Sequence, residues 1–117
     1  MELSVTAEYG GGMAVVEVEG ALDAFTAPFF GDYLDLVRGA AGPRLVLRLG
    51  GLSFVDCAGL RTLLAARAEA VSGGGWLRLE AVPAGARRVM ALTGTQVLLQ
   101  DDVGAARLHG AEPAAGR

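Results

Sequence analysis

LRLGGLSFVDCAGLRTLL, residues 47 to 64, holds the reading of the fold. It continues RLVLRLG, where Leu45, Leu47 and Leu49 alternate with Arg44, Val46 and Arg48, the period of a strand with one well-buried face. Beyond the joint, Leu60, Leu63, Leu64, Ala68 and Val71 recur at helical spacing until SGGG ends the stripe with residues that tolerate left-handed backbone angles. Asp56, a good helix N-cap, stands between the two patterns, so a strand runs almost directly into a helix. The only cysteine, Cys57, falls at that joint. Arg67 lies within the apolar stripe by ideal spacing, so it snorkels or the helix is rotated from this reading.

Outward from the joint the same two periods repeat. LSVTAEY and MAVVEVEG alternate on either side of GGG, which predicts two neighbouring strands joined by a glycine turn. Thr26 can cap a helix with Pro28 in its first turn, and Phe30, Tyr33, Leu34 and Val37 then share a face. Phe29 and Phe30 cannot both face a core equally, so one is expected on a binding or self-association surface, which leaves a homodimer open. WLRLEAV reads as a strand, PAGARRVMALTG as a short helix and TQVLLQ as a closing strand. Trp76 reads as a core or edge packer, and Arg87 and Arg88 as a solvated face of the third helix. The order is β-β-α-β-α-β-α-β, an α/β fold with a mixed four- to five-stranded sheet packed with α-helices.

A chain of 117 residues fits one domain, expected over 1–100, and can bury roughly 65% of its unfolded surface. The segment 101–117, DDVGAARLHGAEPAAGR, carries few large apolar side chains and is expected to be a C-terminal extension, partly helical or disordered. Thirteen acidic residues against ten basic ones give a net charge of -3, with no basic stripe to grip nucleic acid. No apolar run reaches the ~18 residues of a membrane span, and MELSVTAEYGGG lacks the basic start of a signal peptide, so no membrane insertion and a cytoplasmic location are expected.

Chemistry is sparse. The only histidine, His109, lies in the terminal segment, far from any base partnership with Cys57 and from a second metal ligand. The glycine runs at 10–12 and 73–75 lack the lysine of a phosphate-binding loop, and the chain contains no lysine. No metal or cofactor is expected, and no catalytic activity. What remains is the joint itself, where unpaired backbone N–H groups and the helix dipole make added negative charge strongly felt at Cys57. The plainer reading of Cys57 is a small, semi-buried side chain.

At this joint the sequence resembles the STAS domains, the fold of anti-sigma factor antagonists and of the cytoplasmic tails of sulfate transporters. In that family a strand ends in an Asp-Ser-Ser/Thr-Gly-Leu motif that starts a helix, and LRLGGLSFVDCAGLRTLL is similar to it. VEVEGALDAFTAP resembles the family's strand followed by Gly-x-Leu-Asp and a capping threonine, with Gly20, Leu22, Asp23 and Thr26 at the matching positions. VPAGARRVMALTG resembles its Pro-led helix ending in Ser/Thr-Gly, with Pro83, Arg88, Leu92, Thr93 and Gly94 in place. The resemblance implies a bacterial, non-enzymatic switch protein in transcription regulation. Its partner would be an anti-sigma factor or serine kinase of the histidine-kinase-like ATPase type, which phosphorylates the motif serine. It also implies partner contacts at Gly20, Asp23, Asp56, Cys57, Ala58 and Gly59, with Leu60, Leu63 and Leu64 in the core.

The departure falls on the phosphoacceptor: its position is Cys57, and the next, usually Ser or Thr, is Ala58. Ser53 and Thr62 are the nearest hydroxyls, one before the joint and one a turn inside the helix. Three readings are open. The chain is a non-phosphorylatable antagonist that binds constitutively; or an adaptor subunit of a transporter complex such as phospholipid transport; or a redox-sensing variant through Cys57. For the last, a helix N-terminus favours the thiolate while Asp56 opposes it, and no resolving cysteine exists in the chain.

Overall fold

Two glycines make the first turn. In the computed structural model, which describes residues 2–99, Gly11 and Gly12 take φ of 61° and 77°, the geometry of a two-residue type I′ turn. They join β1 (Leu3–Gly10) to β2 (Met13–Leu22) as an antiparallel hairpin, closed by Gly10 opposite Met13. After the hairpin come α1 (Ala27–Ala41), β3 (Arg44–Val55), α2 (Cys57–Ser72), β4 (Trp76–Glu80) and α3 (Ala84–Thr93). The sheet order is β1-β2-β3-β4, with β2, β3 and β4 mutually parallel. Both crossovers step the same way along the sheet, so right-handed connections put α1 and α2 on one face.

The alternating strands feed that face. Val16 and Val18 of β2, Leu45, Leu47 and Leu49 of β3, and Leu77 and Leu79 of β4 are fully buried against Phe30, Leu34, Leu60 and Leu63 of the helices. Each such side chain contributes on the order of 2 kcal/mol by leaving water, before entropy is counted. The other face is largely polar, although Val46 is buried on it. Arg48 lies 2.6 Å from Glu80 and 3.8 Å from Glu17 across three strands, and the Arg78 guanidinium stacks 4.1 Å from the Trp76 ring centroid. Trp76 therefore packs on the open face beneath an arginine.

Three expectations need correction. TQVLLQ does not form a closing strand: Gln96–Leu99 is a 3-10 turn, and Gln100 lies outside the described residues. Among the described residues the sheet thus has four strands, in the order β-β-α-β-α-β-α. A short apolar run has no period that separates strand from turn. Here Thr95 N–H bonds to the Met90 carbonyl (2.9 Å) and folds the chain back, so that Leu98 fills the space bounded by β4, α2 and α3.

The second correction concerns α2, whose buried residues are Gly59, Leu60, Leu63, Ala66 and Ala70, while Ala68 and Val71 are exposed. The helix is rotated so that small alanines approach α1 and the sheet, and Arg67 sits half-buried on a flank. The third is β3, which runs on through GGLSFV to Val55. Its pairing with β2 slips twice, between Glu17 and Glu19 and between Gly20 and Ala21, each time with one extra residue on β3. Each bulge reverses the alternation, and burial falls on Leu49, Leu52 and Val55, every third residue. The segment 101–117 and His109 lie outside the described residues.

Candidate functional site

The carboxyl ends of β2 and β3 meet at one end of the sheet, held by the Asp56 N–H bonding to the Leu22 carbonyl (3.2 Å). Asp56 has extended backbone angles and caps α2, its Oδ1 accepting the Gly59 N–H at 3.0 Å. One of the orphan donors of the helix start is thereby satisfied. Gly59 is buried because α2 begins directly on β2: a Cβ there would stand 2.5 Å from the Leu22 carbonyl oxygen and 2.9 Å from a Val55 methyl. The glycine fixes how closely the first turn of α2 seats on the sheet. Ala58 is half-buried, and Cys57, the first helical residue, is exposed.

The loop after β2 is organised by its own aspartate. Asp23 is buried, and its Oδ1 accepts the N–H groups of Phe25 (2.9 Å) and Thr26 (3.0 Å). The Thr26 N–H bond holds the Asp23 carboxyl below the usual carboxylate value, although burial pulls the other way. Thr26 is the N-cap residue of α1, but its hydroxyl turns back, accepting the Asp23 N–H (2.9 Å) and donating to the Ala21 carbonyl (2.8 Å). The two residues lock one another and the strand end. Gly20 sits beneath them at φ 102°, with the Glu2 carbonyl oxygen where a Cβ would be and the Ser53 hydroxyl donating to its own carbonyl (3.1 Å).

The six residues singled out in the sequence thus gather at one end of the fold, in two roles. Gly20, Asp23 and Gly59 build the platform from inside, while Asp56, Cys57 and Ala58 face outward to different degrees. Sequence reasoning missed the aromatic residues beside them. Phe25 is 91% exposed at the tip of the Asp23 loop, and Phe54 is 46% exposed two residues before Asp56. Phe54 lines a groove of about 390 Å³ with Pro83, Ala86, Arg88 and Val89 of the α3 region. The signal was present: Phe25 is a large apolar residue inside a capping loop, and Phe54 falls out of step once the bulges are counted. Arg88 borders this groove.

An exposed aromatic loop, an apolar groove and a helix start all lie toward the carboxyl ends of β2 and β3, and uncovered apolar side chains of this kind are typical of interaction sites. Among the described residues no group of three or more His, Cys, Asp and Glu side chains could hold a metal, and no helix is long and apolar enough to cross a membrane.

Solved structures of similar shape fit this geometry. A putative anti-sigma factor antagonist from Thermotoga maritima superposes with a TM-score of 0.76 at 17% identity, covering 90% of this chain and 92% of that one. An anti-sigma factor antagonist from Mycobacterium paratuberculosis gives a TM-score of 0.75 at 25% identity, covering 92% and 93%. A sulfate transporter family protein from Wolinella succinogenes gives 0.68 at 18% identity, covering 87% of each chain. No curated protein matches the sequence. The family model for the "Mlab, STAS domain" matches residues 6–100, from within β1 through the 3-10 turn, and the chain belongs to the STAS domain family.

Proposed function

We propose that this chain is an anti-sigma factor antagonist-like module. It binds an anti-sigma factor or kinase of the histidine-kinase-like ATPase type through the start of α2 and so regulates transcription. The observation that supports this reading is the place of Cys57: exposed, first in α2 and beside the capping Asp56, where the sequence resemblance puts the family's phosphoacceptor serine. Phe25 and the Phe54 groove supply the apolar contact area, while Asp23, Gly20 and Gly59 hold the backbone in place.

The replaced serine changes the regulation. A phosphoserine would bring about -1.5 to -2 charges to the centre of the contact and disfavour docking through repulsion and desolvation. Cys57 and Ala58 offer no hydroxyl for such a phosphoester, and Thr62, whose hydroxyl donates to the Ala58 carbonyl (3.2 Å), is engaged inside the helix. The module therefore binds constitutively and is controlled by its abundance. Affinity purification with wild type, Cys57→Ser and Cys57→Glu tests this. Wild type and Cys57→Ser recover the same ATPase-type protein, Cys57→Glu loses it, and on incubation with that protein and ATP only Cys57→Ser gains phosphate. Phosphate on wild-type Asp56 to Gly59 would overturn the reading.

One observation favours a second reading. The family model that fits is the Mlab one, and both motif hydroxyls are absent. A STAS adaptor subunit of a transporter complex, such as one for phospholipid transport, needs the same contact end and no phosphorylation. Recovery of transporter subunits in place of an ATPase-type anti-sigma factor would select it.

A further inference from the structure

The sheet has two edges, and they are not alike. On one side β4 is five residues long and has the 3-10 turn packed against it. On the other, β1 runs eight residues in unbroken register, from Leu3 opposite Gly20 to Gly10 opposite Met13, and among the described residues pairs only with β2. It contains no proline, lysine or bulge, the devices that normally blunt a strand edge against pairing. We propose that the β1 edge, together with the neighbouring flank of α1, joins two copies of this chain into a twofold dimer with one continuous sheet.

The helix above the edge carries a second apolar stripe. Phe30, Leu34 and Val37 point into the core, and on one flank of them Phe29, Tyr33, Leu36 and Ala40 follow one another at spacings of four, three and four residues. Leu36 is 75% exposed, and the Phe29 and Tyr33 rings lie 6.2 Å apart. None of the four is charged. The opposite flank of α1 borders α2, where Gly31, Asp35 and Arg61 line the groove between the helices. The uncharged stripe therefore lies on the β1 side. Burial raises the Tyr33 pKa, and the nearby Tyr9 hydroxyl of β1 adds to the rise. Tyr9 is itself exposed, and Leu3, Val5 and Ala7 are only partly covered.

Register follows from the turn. A two-residue turn makes Gly10 and Met13 a hydrogen-bonded pair, so Glu8, Thr6 and Ser4 direct their main-chain groups at β2, while Leu3, Val5, Ala7 and Tyr9 direct theirs outward. A second β1, antiparallel with Thr6 on the axis, pairs Val5 with Ala7 and Leu3 with Tyr9, making roughly eight new main-chain bonds. Glu8 then stands opposite Ser4. Moving the axis to Val5 would set Glu8 opposite Glu2, and moving it to Ala7 would leave Leu3 without a strand partner, so side-chain charge and strand length select the Thr6 register.

The dimensions suit a second copy. Neighbouring strands lie about 4.8 Å apart, which puts the two β2 strands about 14 Å apart, and α1 lies over β2 and β1. Phe29, Tyr33 and Leu36 of the two copies then face one another across the axis. A strand about 24 Å long under a helical layer gives on the order of 500 Å² per copy, near the lower bound of a specific interface, so a weak dimer is expected. The start of α2 stays uncovered in each copy, and the two contact ends point in opposite directions.

Sedimentation equilibrium of the full chain tests this. The mass should rise with concentration from one chain toward two. Ala7→Pro removes an outward N–H and leaves the β2 pairing intact, and Leu36→Glu places a charge on the stripe. Each should hold the mass at one chain over the same range. Leu36→Glu, at an exposed site, should also leave the melting temperature unchanged, and it carries the test if Ala7→Pro unfolds. A wild-type mass of one chain throughout, or association that survives Leu36→Glu, overturns the proposal.

Discussion

The two halves of β3 obey different rules. From Arg44 to Leu49 the strand alternates as its sequence does, pairs on both sides, and buries Leu45, Leu47 and Leu49 under the helices. From Gly50 to Val55 it pairs with β2 alone, slips register twice, and leaves Ser53 and Phe54 exposed on its way to Asp56. The first half holds the domain together, and in the proposed function the second aims a short stretch of chain at the partner. A bulged strand end is well suited to that, because each extra residue bends the strand and re-aims the side chains beyond it.

Substitutions can separate the halves. Leu47→Ala, in the regular half, should cost about 3 kcal/mol of unfolding free energy through the cavity it leaves, measured by denaturant titration. Any partner affinity retained by the folded fraction should be unchanged. Gly59→Ala should cost about 2 kcal/mol, because its methyl meets the Leu22 carbonyl and the first turn of α2 must lift. It should weaken partner binding as well. A smaller effect is confined to acid. Since the folded pKa of Asp23 lies below its unfolded value, its contribution is present above that unfolded value and is lost as pH falls through the folded one. Asp23→Asn should therefore flatten the fall in melting temperature below about pH 4. The smallest change in stability, within about 0.5 kcal/mol, is expected for the exposed Phe54→Ala. A clear loss of partner binding at unchanged stability would assign Phe54 to contact, and unchanged binding would remove the bulged half from the interface.

The contrast also explains what could be read from the sequence. RLVLRLG, the hairpin and α1 carry one period each, and the structure follows those periods except that Val46 is buried as well and Tyr33 turns to a flank of α1. GGLSFV carries no period because two bulges interrupt it, so the exposure of Phe54 was hidden. In α2, alanines are small enough to face either a helix or a sheet, and the stripe built on Leu64, Ala68 and Val71 was displaced by close packing through Gly59, Ala66 and Ala70. The end of the described chain misled for a related reason, since Val97, Leu98 and Leu99 are apolar in succession and fit a strand or a turn alike. The joint itself was legible because Asp56 is a cap by chemistry as well as by position. Asp23 lies at the same end of the molecule as Asp56, yet its inward role depends on bonds to Phe25 and Thr26 that spacing alone does not reveal.

In the proposed function the start of α2 is the contact surface, and charge at residue 57 governs it. The most direct test is the dissociation constant of the purified partner for wild type and for Cys57→Glu, with melting temperatures measured alongside. A glutamate in the first turn of a helix is favoured by the dipole, so the fold should melt no lower than wild type. Binding should be at least about tenfold weaker, a change of roughly 1.4 kcal/mol, from the single added charge. Equal affinity at equal stability would contradict it.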